Sequence, residues 1–307
     1  MQVLALDIGG TKMAAAVVDA DGMIRARDRI DTPRSDHADV LFQTLEGMCK
    51  RLIQGTSVGA LGVGCGGPMR YPEGVVSPLN IPAWRDFPLR QRLQDALHLP
   101  TVVDNDAKAL AVGERWKGAG HGSNNMLGMV VSTGVGGGII LDGRLLHGEH
   151  GNAGHIGHIV VWPEGPPCGC GGRGCVEAVA SGTGLSRRLN DALATNPRES
   201  SLAPGATAAD IAVAARAGDA LGRYLFRTAG EGVGRGIAGA AAVLDLELVV
   251  IGGSIALLAW DLLGPPLLAE IEASARLDFT RGVRVVHAEL GDRAGLLGAA
   301  QLALALL

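Results

Sequence analysis

Residues 1–12 read MQVLALDIGGTK, a short apolar strand that ends in an aspartate and two consecutive glycines. A second apolar run follows at 13–18, and the Asp-Gly pair at 21–22 is typical of a hairpin turn. Residues 126–146 repeat this order, with an apolar strand, the glycine turn TGVGGG at 133–138, a second strand and another Asp-Gly turn. The repeated strand–glycine loop–strand unit predicts two related α/β domains that face each other.

Both glycine loops are candidate phosphate-binding sites. Glycines between two strands allow consecutive backbone N–H groups to converge on an anion, and the Asp7 carboxylate can hold a cation through water. A tight hairpin uses the same residue types for steric reasons, so one such loop alone is weak evidence. The second copy favours nucleotide phosphate binding, because a structural turn needs no repetition. Neither loop is a P-loop or a dinucleotide-binding fingerprint, because no GxxxxGK(S/T) occurs and no helix is predicted directly after the glycines.

Three polar residues, Asp104, Asn105 and Asp106, follow an apolar strand at 101–103 and precede a predicted helix at 107–117. Helix capping explains one of them and is worth about 1 kcal/mol. Ligands of α/β proteins also bind at the carboxyl ends of strands, where a carboxylate can accept a proton from a substrate hydroxyl. Capping is the better explanation of the tripeptide alone. When the tripeptide is considered together with the two candidate phosphate loops, it favours Asp106 as a general base in phosphoryl transfer.

The segment 168–175 reads CGCGGRGC and follows His158 by ten residues. One imidazole and three thiolates form a closed tetrahedral site for a structural zinc ion. Three buried free cysteines or a redox pair are the alternatives, but a CxC pair is strained as a disulfide, and packing does not explain the interleaved glycines. The predicted zinc ligands are therefore His158, Cys168, Cys170 and Cys175.

The composition narrows the class of protein further. The 307 residues are 47% hydrophobic and 19% charged, with a formal charge of −4, as in a folded chain of about two domains. Only four Phe, four Trp and two Tyr are present and no basic cluster, so we expect no nucleic-acid partner. Acids at 245 and 247 interrupt the apolar region 237–260, which predicts a helix and a buried strand rather than a membrane span. The clustered cysteines and the absence of a leader-like segment predict a cytoplasmic protein.

Together these motifs resemble the ROK (repressor, open reading frame, kinase) family of bacterial sugar kinases. The resemblance covers nearly the whole chain and rests on DIGGTK at 7–12, NDA at 105–107, STGVGGG at 132–138, GHIGH at 154–158, CGCGGRGCVEA at 168–178 and IGGS at 251–254. It implies two RNase H-like domains of the actin/hexokinase type, with a cleft between them. We expect residues 1–118 and 292–307 to form the first domain, and 119–291, with the zinc segment, to form the second.

The resemblance also implies roles for individual residues. Asp106 matches the base that deprotonates the C6 hydroxyl of a sugar for attack on the γ-phosphate of ATP, with Mg²⁺ bound beside the nucleotide. The residues expected to bind this cofactor are Asp7, Gly9, Gly10, Thr11, Lys12, Thr133, Gly134, Gly136, Gly252 and Gly253. The residues expected to contact the sugar are Gly67, Asn80, Asn105, Asp106, His155, His158 and Glu177. A homodimer is also implied, because dimers are common in the family.

Features of the sequence point to different sugars. His155 replaces the Glu of typical glucokinases and, with CVEAVAS at 175–181, resembles N-acetylmannosamine kinases, whereas NIPAW at 80–84 resembles the glucokinase branch. Lys108 stands where Asn is common. We expect phosphorylation of the 6-hydroxyl of a free hexose or N-acylhexosamine, with glucose first and N-acetylmannosamine second.

A sugar-sensing regulator without significant kinase activity is the alternative function. Repressors of the family carry a DNA-binding helix-turn-helix ahead of the kinase-like body. The first phosphate-loop strand starts at residue 2, so we expect no such module here. Asp7 and Asp106 are both present, which favours the kinase.

Overall fold

The computed structural model describes residues 1–196 and 200–307. The strands are β1 (Gln2–Ile8), β2 (Lys12–Asp19), β3 (Ile24–Asp31), β4 (Leu61–Cys65), β5 (Met69–Arg70), β6 (Val75–Val76), β7 (Thr101–Asn105), β8 (Met126–Val131), β9 (Val135–Leu141), β10 (Arg144–Leu145), β11 (Leu248–Gly252) and β12 (Arg284–His287). The α-helices are α1 (Ala38–Leu52), α2 (Leu89–Leu97), α3 (Asp106–Lys117), α4 (Val176–Ala180), α5 (Gly182–Thr195), α6 (Ala208–Arg216), α7 (Ala220–Leu244), α8 (Ser254–Leu258), α9 (Trp260–Ser274) and α10 (Ala294–Leu304).

Contacts within the chain define two units. The first consists of Met1–Asn124, Gly138–Gly154 and Ala288–Leu307, and the second of Asn125–Gly137 and His155–His287. Strands β1 to β7 belong to the first unit and β8, β11 and β12 to the second, and the boundary between Gly137 and Gly138 falls within β9.

The sheet of the first unit has the order β3-β2-β1-β4-β7. β1 pairs antiparallel with β2 and parallel with β4, and β4 pairs parallel with β7. The register places Asp7 opposite Gly64 and Gly64 opposite Asp104. Because the carboxyl ends of parallel strands meet at one edge, the first glycine loop and the turn after β7 lie at the same edge of this sheet.

Helices cover both faces of this sheet. Leu41, Leu45 and Met48 recur at helical spacing along α1 and are buried with the side chains of one face. On the other face the backbones of the alanine-rich α10 and of α3 pack very close together. A Cβ on Gly298 would lie only 1.6 Å from the carbonyl oxygen of Ala109. Glycine is required there by close approach of two helix backbones.

The second sheet has the order β10-β9-β8-β11-β12, with β8, β11 and β12 parallel. Numbered by appearance along the chain, the strands of both sheets follow the order 3-2-1-4-5. This is the arrangement of an RNase H-like domain, and the predicted duplication of one α/β unit is confirmed. The apolar region 237–260 forms the end of α7, strand β11 and helix α8. In the described part of the chain, no helix combines the length and apolarity that crossing a bilayer requires.

The segment 138–154 groups with the first unit, whereas the expected bounds placed all of 119–291 in the second domain. Two contacts with α3 account for this grouping. A Cβ on Gly138 would lie 2.7 Å from Cα of Lys108, and the Lys108 ammonium donates a hydrogen bond of 2.8 Å to the Gly151 carbonyl. Residues 119–124 and 288–291 also group with the first unit.

Candidate active site

The first glycine loop joins β1 to β2 by a tight turn. The Gly9 amide donates to the Lys12 carbonyl at 2.9 Å, and the Thr32 hydroxyl donates to the Gly9 carbonyl at 2.7 Å. A Cβ on Gly10 would lie 2.5 Å from the carbonyl oxygen of Asn80, so the loop lies directly against this expected sugar contact. Thr11 and Lys12 are exposed, and their side chains are available to a ligand.

Two carboxylates, Asp7 and Asp106, lie at the same edge of the first sheet. Burial raises the pKa of Asp7 to about 6, and the negative charge of Asp106 adds to this shift. Burial also raises the pKa of Asp106, while a hydrogen bond from the Ala107 amide opposes that shift. A carboxylate with a raised pKa is the stronger base, so Asp106 is suited to accept a proton near neutral pH.

In the turn from β7 into α3, the neighbouring side chains of Asn105 and Asp106 have different roles. Asn105 is the N-cap of α3, and its side-chain oxygen accepts a hydrogen bond of 3.0 Å from the Ala107 amide. Asp106 Oδ1 accepts from the same amide at 2.8 Å. Asn105 therefore provides the capping that the sequence pattern allowed, and Asp106 is held in a fixed direction at the first turn of the helix.

Four expected sugar contacts come together in the first unit, around this turn. A Cβ on Gly67 would lie 3.4 Å from Nδ2 of Asn105, and a Cβ on Gly66 would lie 3.3 Å from Oδ1 of Asn80. Asn80 and Asn105 thus both lie against the glycine pair 66–67, and Asn105 directly precedes Asp106. Amide and carboxylate groups of this kind are suited to hydrogen-bond the hydroxyls of a sugar.

Gly295 also belongs to this region, although no motif of the sequence indicates it. It lies in the first turn of α10, and a Cβ at this position would be 2.7 Å from Oδ2 of Asp7. The absence of a side chain at 295 leaves room for the Asp7 carboxylate. In the sequence Gly295 is one of 47 glycines, and nothing there identifies its partner.

The second glycine loop is fastened to the start of α4 and α5 in the second unit. The Val135 amide donates to Oε2 of Glu177 at 2.9 Å, and the Thr183 hydroxyl donates to the Thr133 carbonyl at 3.0 Å. A Cβ on Gly134 would lie 2.7 Å from Glu177 Oε2. Glu177, an expected sugar contact, therefore also fixes the backbone of the second phosphate loop.

A cavity of about 690 Å³ lies beside this loop, within the size range of small-molecule sites. Its lining residues are Thr133, Gly182, Thr183, Ser186, Arg187, Asn190, Thr207, Ala208, Ala209, Ser254, Ile255 and Leu258. The motifs of the sequence indicate Thr133 but none of the residues on α5 and α6. Gly253 precedes Ser254 with φ of +97°, and a Cβ there would lie 2.4 Å from the Val131 carbonyl oxygen, so a glycine is needed at this edge of the cavity.

The four predicted zinc ligands converge in the second unit. Their ligand atoms, from His158, Cys168, Cys170 and Cys175, all lie within 4.8 Å of one another. The His158 Nδ1–Cys168 Sγ distance and the Cys170 Sγ–Cys175 Sγ distance are both 3.8 Å. A tetrahedron with Zn–S bonds of about 2.3 Å has edges of about 3.8 Å, so the donor set and its spacing fit a zinc ion.

The histidine segment before the cysteines lies against the second glycine loop. A Cβ on Gly157 would lie 2.1 Å from the Val135 carbonyl oxygen, so this glycine permits close backbone approach. His155 and His158 flank it, with ring centroids 6.1 Å apart, and both are exposed. The second unit therefore brings together the second loop, the expected sugar contacts His155, His158 and Glu177, and the metal cluster.

Comparison with known sequences shows that the chain belongs to the ROK family. The ROK family profile matches residues 3–305. A glucokinase from Halalkalibacterium halodurans is 38% identical over 306 residues, covering 95% of this chain and 92% of the relative. An N-acetylmannosamine kinase from Escherichia coli is also 38% identical, over 307 residues, covering 99% and 98%.

A solved structure gives the same result for the fold. The ROK family glucokinase from Streptomyces griseus, in complex with glucose and AMPPNP, is 33% identical to this chain. The match has a TM-score of 0.82 and covers 99% of this chain and 100% of that one. The predicted fold class is confirmed: the chain has two RNase H-like domains of the actin/hexokinase type.

Proposed function

We propose that this protein is an ATP-dependent sugar kinase that phosphorylates the 6-hydroxyl of a free hexose or N-acylhexosamine. The observation that carries the proposal is the placement of Asp106 beside Asp7, Asn80 and Asn105 at the loop edge of the first sheet. The related glucokinase and N-acetylmannosamine kinase support the same reaction class.

Asp106 is the proposed general base. In the transfer step the sugar hydroxyl oxygen forms a bond to the γ-phosphorus, its proton passes to the Asp106 carboxylate, and the bond to the bridging oxygen breaks to release ADP. Most of the rate enhancement would come from positioning and charge stabilisation. Gly67, Asn80, Asn105, His155, His158 and Glu177 are the proposed contacts to the sugar.

The two glycine loops are the proposed phosphate sites. Backbone amides of Gly9 to Lys12 and of Thr133, Gly134 and Gly136 would donate to the phosphates of ATP. Asp7 would hold Mg²⁺ through water, and the bound ion would neutralise charge that develops on the phosphates. Gly252 and Gly253 lead into the cavity of 690 Å³ that we propose for the nucleoside.

The proposed zinc ion is structural. A closed site of one imidazole and three thiolates leaves no open position for a substrate, so the bound ion would supply folding energy and rigidity. Cys168, Cys170 and Cys175 would fix the loop around it. His158 would then be held next to His155, which orients the segment that we propose to contact the sugar.

The identity of the sugar is the finer part of the proposal. Glucose is proposed first and N-acetylmannosamine second. A coupled assay of ADP release with glucose, mannose, fructose, N-acetylglucosamine and N-acetylmannosamine would test this order. We expect the highest kcat/KM with glucose. Turnover of none of the five, with sugar binding retained, would contradict the kinase and support a sugar-sensing regulator.

We expect the kinase activity to fall as the pH decreases through about 6. The roles proposed for Asp7 and Asp106 need ionised carboxylates, and burial raises the pKa of Asp7 to about 6 and that of Asp106 above its ordinary value. The acid limb of kcat/KM against pH should therefore lie well above the range of an ordinary carboxyl group. A profile that stays level down to pH values near 4, the ordinary range, would contradict both assignments.

A stability measurement over the same pH range is the control for this experiment. Because the pKa of Asp7 is higher in the folded than in the unfolded chain, the folded chain binds more protons between the two values. The stability contributed by Asp7 is thus fully present below its unfolded pKa and is lost as the pH rises through about 6. Protonation of Asp7 should lower activity without unfolding the protein.

A further inference from the structure

A buried pair of opposite charges, Asp104 and Lys108, lies directly beside the proposed base. Asp104 lies near the end of β7, two residues before Asp106, and its side chain is completely buried; that of Lys108, on the first turn of α3, is 2% exposed. The Lys108 Nζ lies 3.6 Å from Asp104 Oδ1. Burial lowers the pKa of the Lys108 ammonium, and the Asp104 carboxylate opposes this shift. Neither side chain has a role in the mechanism proposed above.

Both charged groups contact the segment 147–151, which follows β10 and leads towards His155. The Lys108 ammonium donates to the Gly151 carbonyl at 2.8 Å and lies 3.5 Å from the His147 carbonyl. The His147 Nδ1 lies 3.1 Å from Asp104 Oδ2. These contacts join residues about 40 positions apart in sequence.

Tyr71 closes the outer side of this cluster. Its ring stacks on the His147 ring, with the centroids 4.3 Å apart and the planes 11° from parallel. Gly151 has φ of +73°, and a Cβ there would lie 2.2 Å from Cβ of Tyr71. The segment is therefore held tightly from both sides, by the Lys108 ammonium and by the tyrosine.

The Asp104 carboxylate connects this cluster to the sugar side of the turn. Its Oδ1 accepts a hydrogen bond of 2.8 Å from the Asn105 amide. Within residues 1–196 and 200–307, Asp104 Oδ2 and His147 Nδ1 are buried and make no hydrogen bond, and the 3.1 Å approach of these two atoms is the polar contact that each has. Removing either group would leave a buried polar atom unpaired, which is costly.

We propose that His147 and Lys108 are positioning residues, which act through Asp104 to fasten the segment 147–151 to the turn that carries Asn105 and Asp106 and thereby fix the sugar site. This inference rests on the proposed function for its effect on the sugar. The fastening itself does not depend on that function. Neither residue needs to touch the substrate, and neither has a part in nucleotide binding.

Two substitutions at the same position provide the test. His147→Asn keeps an N–H donor where Nδ1 lies, whereas His147→Gln moves the amide towards the position of Nε2 and leaves Asp104 Oδ2 unpaired. We expect His147→Gln to raise the KM for the sugar about tenfold and to change the KM for ATP by less than about twofold. His147→Asn should retain a sugar KM close to that of the unmodified protein. A purely structural role would alter both KM values or neither.

Hydrogen exchange of the ligand-free protein tests the fastening independently of catalysis. Amides at 147–154 should exchange about tenfold faster in His147→Gln and in Lys108→Met than in the unmodified protein, but not in His147→Asn. Equal KM values and equal exchange in the Asn and Gln variants would overturn the inference. If the unmodified protein phosphorylates no sugar, the proposed function fails, while the exchange comparison still decides whether the cluster fastens this segment.

Discussion

Replacing Asp106 with Asn is expected to lower kcat by about two to four orders of magnitude, the range for loss of a general base. Asn has nearly the same shape and can still accept the 2.8 Å hydrogen bond from the Ala107 amide, so the first turn of α3 should be unchanged. It cannot take the proton of a sugar hydroxyl. The expected signature is therefore a large fall in turnover with sugar affinity retained, measured by steady-state kinetics and by calorimetric titration with sugar.

Asp95→Asn is the matched control for this variant. Asp95 is exposed on α2 and has no part in the proposed site, and the same change of charge there should leave turnover unaltered. Wild-type activity in Asp106→Asn would remove this residue as the base. Loss of sugar binding together with turnover would instead show that Asp106 acts mainly in binding.

The second large effect is expected from Cys170→Ser. Elemental analysis should find about one zinc ion per chain in the unmodified protein and almost none in this variant, because the four-ligand site is closed by protein groups alone. Without the ion the loop 168–175 loses its cross-link, and the adjacent segment 154–158 loses its support. We therefore expect a lower Tm and loss of detectable sugar binding, measured by thermal unfolding and calorimetry.

Cys49→Ser controls for the loss of a thiol as such. Cys49 is buried in α1 of the first unit and is not part of the metal cluster, so this variant should keep its zinc and its sugar affinity. An active preparation that contains no zinc would contradict a structural role for this ion. Retention of zinc by Cys170→Ser would exclude this thiolate as a necessary ligand.

Local sequence patterns were sufficient to predict the parts of the site that lie close together in the chain. The turn after Asp7, the cap at Asn105 and the convergence of His158 with three cysteines all follow from short motifs whose geometry is set by glycine, by helix ends and by ligand spacing. The duplicated order of strands and glycine turns was enough to predict two α/β sheets.

Contacts between distant parts of the chain could not be predicted in this way. Gly295 faces Asp7, and Lys108 holds Gly151, but neither residue is marked by periodicity or by a motif. The cavity residues on α5 and α6 look like ordinary helix surface in the sequence. The domain bounds differ for the same reason, since only tertiary contacts show that 138–154 group with the first unit.

The first unit is built from three separate stretches of the chain, so it cannot fold completely until the last of them, 288–307, has been synthesised. One face of its sheet is covered by α10 (Ala294–Leu304), and the buried Glu114 on α3 accepts a hydrogen bond of 2.9 Å from the Leu290 amide. During synthesis, β1, β4 and α3 leave the ribosome long before these partners exist. Their apolar surfaces stay unpaired until residues 290–304 have been synthesised, so we expect the nascent chain to expose them to aggregation and to chaperones for that interval.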